Sequence, residues 1–322
     1  MMHAILMTQF GGPEVLKYVS RPEPKPGADE LLVRTEAIGV NFIDTYYREG
    51  IYPVPLPFIP GDEACGVIEA VGDETAGFSV GDRIAWTAPY GSYAEYALVP
   101  TAAAVPVPHN MDAAKAASSL AQGMTAHYLS TSTYAIQPGD RVLIHAGAGG
   151  VGLLLTQMAV ARGATVITTV SSDAKEEASR LAGATHVLRY GPNLAAQVRE
   201  LTDGTGVAAT YDGVGATTFR ASLEATAIRG TVALYGAASG PVPPLDPQEL
   251  NAAGSLYLTR PTISHYTRDR EELLWRANDV LNAINDGSLQ VNVGGRYHLS
   301  DAGQAHTDLQ SRATTGALVL IP

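Results

Sequence analysis

The segment that most limits what this chain can fold into is a glycine-rich turn between a run of β-forming residues and a helical stretch. It reads Gly147-Ala-Gly149-Gly150-Val-Gly152, with RVLIHA before it, LLLTQMAVARG after it and a second β-like run, ATVITTV, beyond. In a G-x-G-x-x-G turn, the first glycine allows the tight turn, the second lets the backbone approach a pyrophosphate, and the third lets the helix pack closely. The helix N-terminus offers N–H groups and partial positive charge to phosphates. The segment therefore predicts a dinucleotide site; a βα turn without a ligand is the alternative.

The residues after the second β-like run indicate which dinucleotide is bound. An NAD site usually places Asp or Glu there to bind the ribose 2′-hydroxyl. This chain instead has Ser171, Ser172 and Lys175, and two hydroxyls with an ammonium suit a 2′-phosphate. Asp173 is a contrary signal, which we interpret as the cap of the next helix; for Lys175 the alternative is an ordinary solvated lysine. The pattern favours NADP(H) over NAD(H).

The rest of the 322 residues shows two different patterns of predicted secondary structure, which indicates two domains. Up to about residue 110, short β-like runs are broken by Gly and Pro, typical of a compact antiparallel β domain. From about 112, strands and helices alternate, as in a parallel sheet covered by helices. An amphipathic helix follows, with Gly287 as its C-cap, and the strand-like end, ALVLIP, returns to the first domain. The predicted boundaries are 123–264 for the inner α/β domain and 1–122 with 265–322 for the outer one.

Composition excludes several classes of protein. A single cysteine excludes an intramolecular disulfide framework and a four-thiolate zinc site. The formal net charge of −11 has the wrong sign for general nucleic-acid binding. The start of the chain lacks the basic region of a signal peptide, and no apolar run approaches the length of a membrane span. We therefore expect a cytoplasmic protein that binds neither nucleic acid nor membrane.

The chain resembles the medium-chain dehydrogenase/reductase superfamily and, within it, the zinc-independent NADPH:quinone oxidoreductases of the zeta-crystallin group. The resemblance extends over essentially the whole length. It is carried by AIGVNFIDTYYREGIYP (37–53), PGDEACGVIEAVG (60–72), GDRIAW, HAGAGGVGL, YDGVG (211–215), GSLYLTRP (254–261) and SRATTGALVLIP (311–322). It implies an α/β fold class: a Rossmann domain, with its doubly wound parallel sheet, inserted into a GroES-like β-barrel catalytic domain. It also implies a homodimer, formed by edge strands of the cofactor domains.

The resemblance also implies a set of cofactor contacts. Asn41 and the residues after it match the wall of the nicotinamide site. Tyr190 and Arg312 match positions that contact the adenosine end of the cofactor. The implied cofactor-binding residues are Asn41, Tyr128, Gly149, Gly150, Val151, Ser171, Ser172, Lys175, Tyr190, Gly215, Tyr235, Gly236, Ser239 and Arg312. Two positions depart from the family pattern: Gly147 stands where relatives often have Ala, and Val160 where they usually have Lys, Arg or Ser. We expect these departures to alter packing rather than phosphate binding.

The segments that carry zinc ligands in alcohol dehydrogenases of the superfamily differ here. The segment corresponding to their cysteine-bearing loop reads GVNFID, and their Gly-His-Glu is replaced by Gly61-Asp62-Glu63. Cys65 is best interpreted as a small buried residue, and the eight histidines are scattered. Because catalytic zinc in these enzymes needs Cys and His ligands, the sequence predicts no metal.

Without a Lewis acid, the feasible chemistry is hydride transfer to an acceptor that is already electrophilic. The candidate catalytic residues supply hydrogen bonds to the developing oxyanion: Asn41, Tyr46, Tyr52 and Thr125, with Asp44 orienting its neighbours. Tyr46, Tyr47 and Tyr52 are candidates to stack on a flat ring, with ordinary packing as the alternative.

These features predict an NADPH-dependent quinone reductase that transfers a hydride or sequential electrons. One alternative is an enone or enoyl double-bond reductase on the same scaffold, although a CoA-bearing substrate would favour a basic patch that the sequence lacks. A second is a non-enzymatic NADPH-binding protein of the crystallin or RNA-binding kind. A pI near 5.1 and the lack of an RNA-reading motif argue against RNA.

Overall fold

The structure, a computed structural model, describes residues 1–88 and 90–322. Contacts divide the chain into two compact units, Met1–Gln122 with Thr267–Pro322, and Gly123–Tyr266. In chain order the strands are β1 (Met2–Leu6), β2 (Lys17–Arg21), β3 (Glu30–Val40), β4 (Glu63–Val71), β5 (Arg83–Thr87), β6 (Tyr96–Pro100), β7 (Val105–Pro106), β8 (Arg141–Ile144), β9 (Thr165–Val170), β10 (His186–Arg189), β11 (Val207–Asp212), β12 (Thr226–Leu234), β13 (Tyr257–Thr259), β14 (Val293–His298) and β15 (Ala317–Ile321).

The α-helices are α1 (Phe42–Glu49), α2 (Ala113–Ala117), α3 (Leu120–Tyr128), α4 (Gly150–Ala161), α5 (Asp173–Leu181), α6 (Leu194–Glu200), α7 (Phe219–Ala225), α8 (Pro247–Ala252), α9 (Arg270–Asn285) and α10 (Ala302–Ser311). Short 3₁₀ helices cover Pro13–Val15, Ile263–His265 and Leu299–Asp301, and a π-helix covers Leu129–Thr133. None of the described helices combines the length and apolar character that a membrane crossing requires.

The unit Gly123–Tyr266 is built on a six-stranded sheet in the order β10-β9-β8-β11-β12-β13, with every pair parallel. In chain order this is the 3-2-1-4-5-6 arrangement of dinucleotide-binding folds. Leu143, Ile167 and Val198 are fully buried in one of its clusters. The strand order reverses between β8 and β11, where the carboxyl ends of the strands open a crevice for ligands.

The other unit holds a seven-stranded sheet in the order β14-β15-β3-β4-β5-β7, with β6 also paired to β3. Strand β3 is long enough to pair with β4 along most of its length, with β6 at its start and with β15 at its end. In the described residues no pairing joins β14 to β7, so the sheet order stays open. Ile38, Trp86 and Leu318 are buried in its core.

The helix predicted for residues 112–130 begins as expected but is not continuous. Asp112 caps α2, its side chain accepting from the N–H of Lys115 at 3.0 Å. The hydroxyls of Ser118 and Ser119 donate to the carbonyls of Ala114 and Lys115. Serine hydroxyls that bond back to the preceding turn compete with the helical ladder, which explains the break between α2 and α3.

Candidate active site

Asn41, between the end of β3 and the start of α1, has its side chain fixed by two partners. Its Nδ2 donates to Glu63 Oε2 at 2.8 Å, and its Oδ1 accepts from Gln122 Nε2 at 3.0 Å. The other Glu63 oxygen accepts from the N–H of Ala121 at 2.8 Å. Both polar atoms of the Asn41 side-chain amide therefore have a hydrogen-bond partner. Neither partner was predicted from the sequence, although Glu63 belongs to the Gly61-Asp62-Glu63 segment that was compared with a zinc-ligand segment.

Gly39 is the reason that Glu63 can lie so close to β3. A Cβ at Gly39 would come within 2.4 Å of the Ala117 carbonyl oxygen and 2.5 Å of Glu63 Oε2. Both distances are shorter than any side chain tolerates, and one of the atoms is backbone. The glycine therefore provides the space in which the Asn41–Glu63 contact forms.

Asp44 is fully buried in the first turn of α1, where its side chain binds two neighbours. Its Oδ2 accepts from the N–H of Asn41 at 2.8 Å and from the hydroxyl of Tyr93 at 3.3 Å. Its Oδ1 is buried without a hydrogen-bond partner, and so is Oδ1 of Asp62. The carboxylate that orients Asn41 thus has one satisfied oxygen and one unsatisfied one.

A buried chain of hydrogen bonds leads from Arg48 to Asp44. Arg48 Nη1 lies 3.2 Å from His306 Nδ1, and His306 Nε2 lies 3.0 Å from the Tyr93 hydroxyl. Because arginine can only donate, His306 Nδ1 accepts, and a neutral His306 therefore carries its proton on Nε2 and donates it to Tyr93. Tyr93 in turn donates to Asp44. Every donor along the chain points toward that carboxyl group.

Burial changes the ionisation of these groups. It raises the pKa of Asp62 to about 7 and that of Glu63 to about 8, the latter opposed by hydrogen bonds from Asn41 and Ala121. Burial, reinforced by the charge of Asp62, also raises the pKa of Asp44 well above its usual range. Burial and then the charge of Arg48 lower the pKa of His306 to about 3. Near neutral pH the histidine is uncharged, and protonation of the acids relieves their mutual repulsion.

These shifts predict that the protein loses stability as pH rises from 6.5 to 8.5. Across this range the folded chain binds more protons than the unfolded chain, because Asp62 and Glu63 have folded pKa values near 7 and 8 and unfolded values near 4. His145 and His306 are neutral in the folded chain, and their partial protonation in the unfolded chain near pH 6.5 offsets less than about 1 kcal/mol of the loss. We expect the free energy of unfolding to fall by about 2–3 kcal/mol. Thermal or denaturant unfolding at the two pH values measures this free energy. A fall of the same size in Asp62→Asn would contradict the raised pKa of Asp62.

An aromatic cluster adjoins α1 in the same unit. Tyr46 and Tyr52 are 5.5 Å apart and Tyr47 and Tyr90 5.1 Å apart, with their rings edge to face. Tyr47 is buried at 7% exposure and also packs on Phe58, so ordinary packing accounts for it. Tyr52, 39% exposed, and Tyr90, 49% exposed, leave ring surface open. Sequence reasoning missed Tyr90.

No group of three or more His, Cys, Asp or Glu side chains that could hold a metal ion occurs in the described part of the chain. Cys65 is buried, and burial raises the pKa of its thiol to about 12. The thiol is therefore inert at neutral pH.

The glycine-rich turn of the other unit forms the predicted strand–turn–helix. The left-handed residue is Ala146, with φ of 53°, so the expectation that Gly147 permits the tight turn was wrong. A Cβ at Gly147 would lie 2.5 Å from Thr168 Cβ, so this glycine serves close packing instead. Gly149 is the N-cap of α4, and the N–H groups of the first turn, beginning at Gly150 and Val151, have no acceptor within the helix.

The end of β9 brings the predicted phosphate-binding side chains together. Lys175 Nζ lies 3.4 Å from Ser171 Oγ. Ser172, not Asp173 as predicted, is the N-cap of α5, its hydroxyl accepting from the N–H of Lys175. The cap falls there because Ser172 has extended backbone, whereas Asp173 is already helical. Asp173 instead pairs with Arg189 at 2.6 Å.

Tyr190 follows β10 and reaches the glycine-rich turn. Its hydroxyl accepts from the N–H of Ala146 at 3.0 Å, and its ring lies over that of His145 at 6.3 Å between centroids. The tyrosine therefore lies beside the predicted pyrophosphate position, with 39% of its surface exposed.

Asp212, buried at the end of β11, organises the loop that holds Gly215. Its Oδ1 accepts from the N–H groups of Val214 at 2.8 Å and Gly215 at 2.9 Å. The hydroxyls of Thr218 and Ser222 donate to the same carboxylate. Sequence reasoning passed over Asp212, although it lies within the YDGVG segment.

The loop after β12 interlocks with the loop after β11. Ser239 Oγ donates to the Val214 carbonyl at 2.8 Å and accepts from the N–H of Thr217 at 3.1 Å. The N–H of Tyr235 donates to the Asp212 carbonyl at 2.9 Å, and a Cβ at Gly236 would lie 2.4 Å from the Gly213 carbonyl oxygen. The structure thus brings the predicted Gly215, Tyr235, Gly236 and Ser239 together at the carboxyl ends of two neighbouring strands.

The remaining predicted residues lie elsewhere. Thr125 and Tyr128 are one turn apart on α3; Thr125 is half-buried, whereas Tyr128 is buried, its ring stacked on Tyr266 at 4.3 Å. Arg312 belongs to the unit of Asn41, as the exposed C-cap of α10 with φ of 56°. Contact of any of these residues with a cofactor stays a prediction.

Comparison with known proteins places these features in a family. Residues 27–109 match the alcohol dehydrogenase GroES-like domain, and residues 150–276 the domain described as zinc-binding dehydrogenase. A quinone oxidoreductase of Pseudomonas aeruginosa is 42% identical over 100% of both chains. The chain belongs to the quinone oxidoreductase family.

Two solved structures extend the comparison. A mycobacterial protein solved in complex with NADPH is 56% identical over 100% of both chains, with a TM-score of 0.98. The Escherichia coli quinone oxidoreductase, also solved with NADPH, is 39% identical over 99% of this chain and 100% of its own, with a TM-score of 0.97. The predicted α/β class, with Rossmann and GroES-like parts, is confirmed.

Proposed function

We propose that this member of the quinone oxidoreductase family reduces quinones with NADPH. The observation that carries the proposal is the contact between Ser171 and Lys175 at the end of β9. NAD enzymes usually carry a carboxylate in this region. The two related structures solved with NADPH support the same cofactor.

The residues present fit NADPH. A Cβ at Gly149 would meet only the Ala146 carbonyl oxygen, at 3.3 Å, so the space before α4 is open to a phosphate. The first-turn N–H groups of α4 suit a pyrophosphate, and Ser171 with Lys175 suits a 2′-phosphate. When bound, NADPH supplies the hydride.

The chain's own residues would bind and orient the acceptor. The side chain of Asn41, locked between Glu63 and Gln122, offers an N–H donor of fixed direction to a developing oxyanion. Tyr46 and Tyr52, with Tyr90 added by the structure, offer aromatic surface to a planar ring. Asp44 holds the backbone of Asn41 in place. Thr125 is proposed as a further hydroxyl donor to the oxyanion.

We assign the cofactor to the unit Gly123–Tyr266 and the acceptor-binding residues Asn41, Tyr46 and Tyr52 to the unit that contains both chain termini. The glycine-rich turn and the 3-2-1-4-5-6 sheet support the first assignment. The domain boundaries predicted from the sequence, 123–264 and 1–122 with 265–322, stay a proposal; they differ from the compact units at residues 265 and 266.

The test follows NADPH oxidation by absorbance with 1,4-benzoquinone, with a simple enone, and with no acceptor. We expect oxidation with the quinone at a rate well above that with the enone. Faster turnover of the enone would favour the double-bond reductase. Tight NADPH binding without oxidation by either acceptor would favour the non-enzymatic alternative and contradict the proposal.

Replacing Lys175 with alanine is expected to raise the KM for NADPH by about tenfold and to leave kcat within about twofold, because a phosphate loses one charge-assisted contact. Steady-state kinetics with NADPH and NADH at saturating quinone measures the change. Lys17→Ala, at an exposed position of β2, is the control. An unchanged preference for NADPH over NADH in Lys175→Ala would show that the 2′-phosphate lies elsewhere.

Tyr52→Phe is expected to lower kcat with quinone by about threefold, because the ring is kept and only one hydroxyl donor is lost. The KM for NADPH should not change. Phe58→Leu, in the buried part of the same cluster, separates loss of packing from loss of the hydroxyl. Turnover of Tyr52→Phe equal to that of the unaltered protein would remove Tyr52 from the catalytic group.

A homodimer through the edge strand β13 is also proposed. This strand ends the parallel sheet, and Tyr257 on it and Ile228 on β12 are 64% and 77% exposed. An exposed apolar edge of this kind favours pairing with a second copy. Light scattering after gel filtration measures the mass; a monomer at micromolar concentration would contradict the dimer.

The cytoplasm is proposed as the location, since it is a compartment in which NADPH is available as a reductant. Fractionation of the source cells, with detection of the protein by antibody, tests this assignment.

A further inference from the structure

Arg189, the last residue of β10, is a cation beside the proposed 2′-phosphate position. Its Nη1 donates to the main-chain carbonyl of Ser172, and its Nη2 lies 2.6 Å from Asp173 Oδ1 and 2.8 Å from Glu176 Oε2. In the parallel pairing of β9 with β10, Arg189 is the partner of Val170. The carboxyl ends of the two strands therefore place the guanidinium against the turn that follows β9.

The same turn carries two carboxylates that oppose phosphate binding. Asp173 and Glu176 lie in the first turn of α5, next to Ser171 and Lys175. A carboxylate at the end of the second strand repels a 2′-phosphate and favours the unphosphorylated ribose. Both carboxylates are in contact with the Arg189 guanidinium, which offsets one of their two negative charges, and Glu176 is also paired with Arg180.

We propose that Arg189 is a positioning residue that sets cofactor preference: it reduces the negative charge of Asp173 and Glu176 and holds the Ser172 carbonyl, so that Ser171 and Lys175 accept a 2′-phosphorylated adenosine. The inference rests on the proposed function, because it concerns the same cofactor site. It explains how a turn with two acids selects the phosphorylated dinucleotide. Arg189 acts through the carboxylates and the Ser172 carbonyl, to which its Nη groups are bound.

The test uses calorimetric titration of the full chain with 2′,5′-ADP and with 5′-AMP, two fragments that differ by the 2′-phosphate. Arg189→Met is expected to weaken binding of 2′,5′-ADP about tenfold and to leave that of 5′-AMP within about twofold. The triple variant Arg189→Met, Asp173→Asn, Glu176→Gln should recover affinity for 2′,5′-ADP to within about threefold, because the unbalanced carboxylates are gone.

Arg180→Met is the matched control. Arg180 contacts the same Glu176 at 2.8 Å, but from the last turn of α5. Its loss removes one pairing of Glu176 but leaves the contacts of Arg189 with the Ser172 carbonyl and Asp173 in place, so affinity for 2′,5′-ADP should fall much less than in Arg189→Met, by about twofold. Circular dichroism and thermal unfolding verify that each variant is folded.

An unchanged affinity of Arg189→Met for 2′,5′-ADP would overturn the inference. So would a triple variant as weak as Arg189→Met, because the arginine would then bind the phosphate itself. Unaltered protein that binds the two fragments equally would also overturn it. Failure of the proposed function is seen separately, as the absence of quinone-dependent NADPH oxidation.

Discussion

Gly152→Ala is expected to lower the free energy of unfolding by about 3 kcal/mol and to weaken NADPH binding at least tenfold. A Cβ at this position would lie 2.2 Å from the Ala146 carbonyl oxygen and 3.0 Å from Gly147 Cα. Both contacts are with backbone, so the clash is relieved only if α4 moves away from the turn that precedes it. That movement would displace the N–H groups proposed to bind the pyrophosphate.

Gly149→Ala is the matched variant for this experiment. Its Cβ would meet only the Ala146 carbonyl oxygen, at 3.3 Å, so stability should change by less than about 1 kcal/mol. Binding of NADPH should nevertheless weaken, because the methyl group would occupy space proposed for a phosphate. Denaturant unfolding and fluorescence titration with NADPH separate the two effects. Equal loss of stability in both variants would contradict the different roles assigned to the two glycines.

Arg48→Met is expected to cost about 3–5 kcal/mol of stability, because it removes a buried donor from one buried acceptor, two part-buried acceptors and the carboxylate of Glu49. Arg48 is 1% exposed and donates to the Gly11 carbonyl at 3.0 Å, to His306 Nδ1 at 3.2 Å and to Gln310 Oε1 at 2.9 Å. The methionine would fill much of the volume but satisfy none of these atoms.

Arg34→Met provides the comparison for Arg48. Arg34 pairs with Glu69 at 2.8 Å, but both side chains are more than 40% exposed. Exposed pairs contribute little, so we expect a change below about 1 kcal/mol. Urea unfolding of the two variants at pH 7 measures the difference. Similar small losses in both would mean that the hydrogen-bond chain to Asp44 does not support the fold.

The sequence predicted most of the cofactor unit because its signals are local. The turn at Gly147–Gly152 lies between residues that form β8 and α4, and hydroxyls and an ammonium follow β9 within a few positions. Adjacent residues determine such features through backbone preferences and capping. The errors at Gly147 and Asp173 were also local: each function fell on a neighbouring residue whose dihedral angles suited it better.

The unit that contains Asn41 was less predictable because its polar contacts are distant in sequence. Asn41 meets Glu63 and Gln122, 22 and 81 positions away, and Arg48 meets His306 at a separation of 258. Neither hydrophobic periodicity nor spacing encodes which buried donor meets which acceptor. These pairs become evident only when the strands are in register.

The amino-acid sequence alone determined the class of fold, the strand–turn–helix at the glycine-rich segment and the hydroxyls and ammonium that follow β9, since each depends on residues close together in the chain. Only the tertiary structure decided how Asn41 is held, which way the protons point between Arg48 and Asp44, and that Arg189 contacts both acids of α5. Burial and hydrogen-bond direction depend on groups that folding brings together from distant segments.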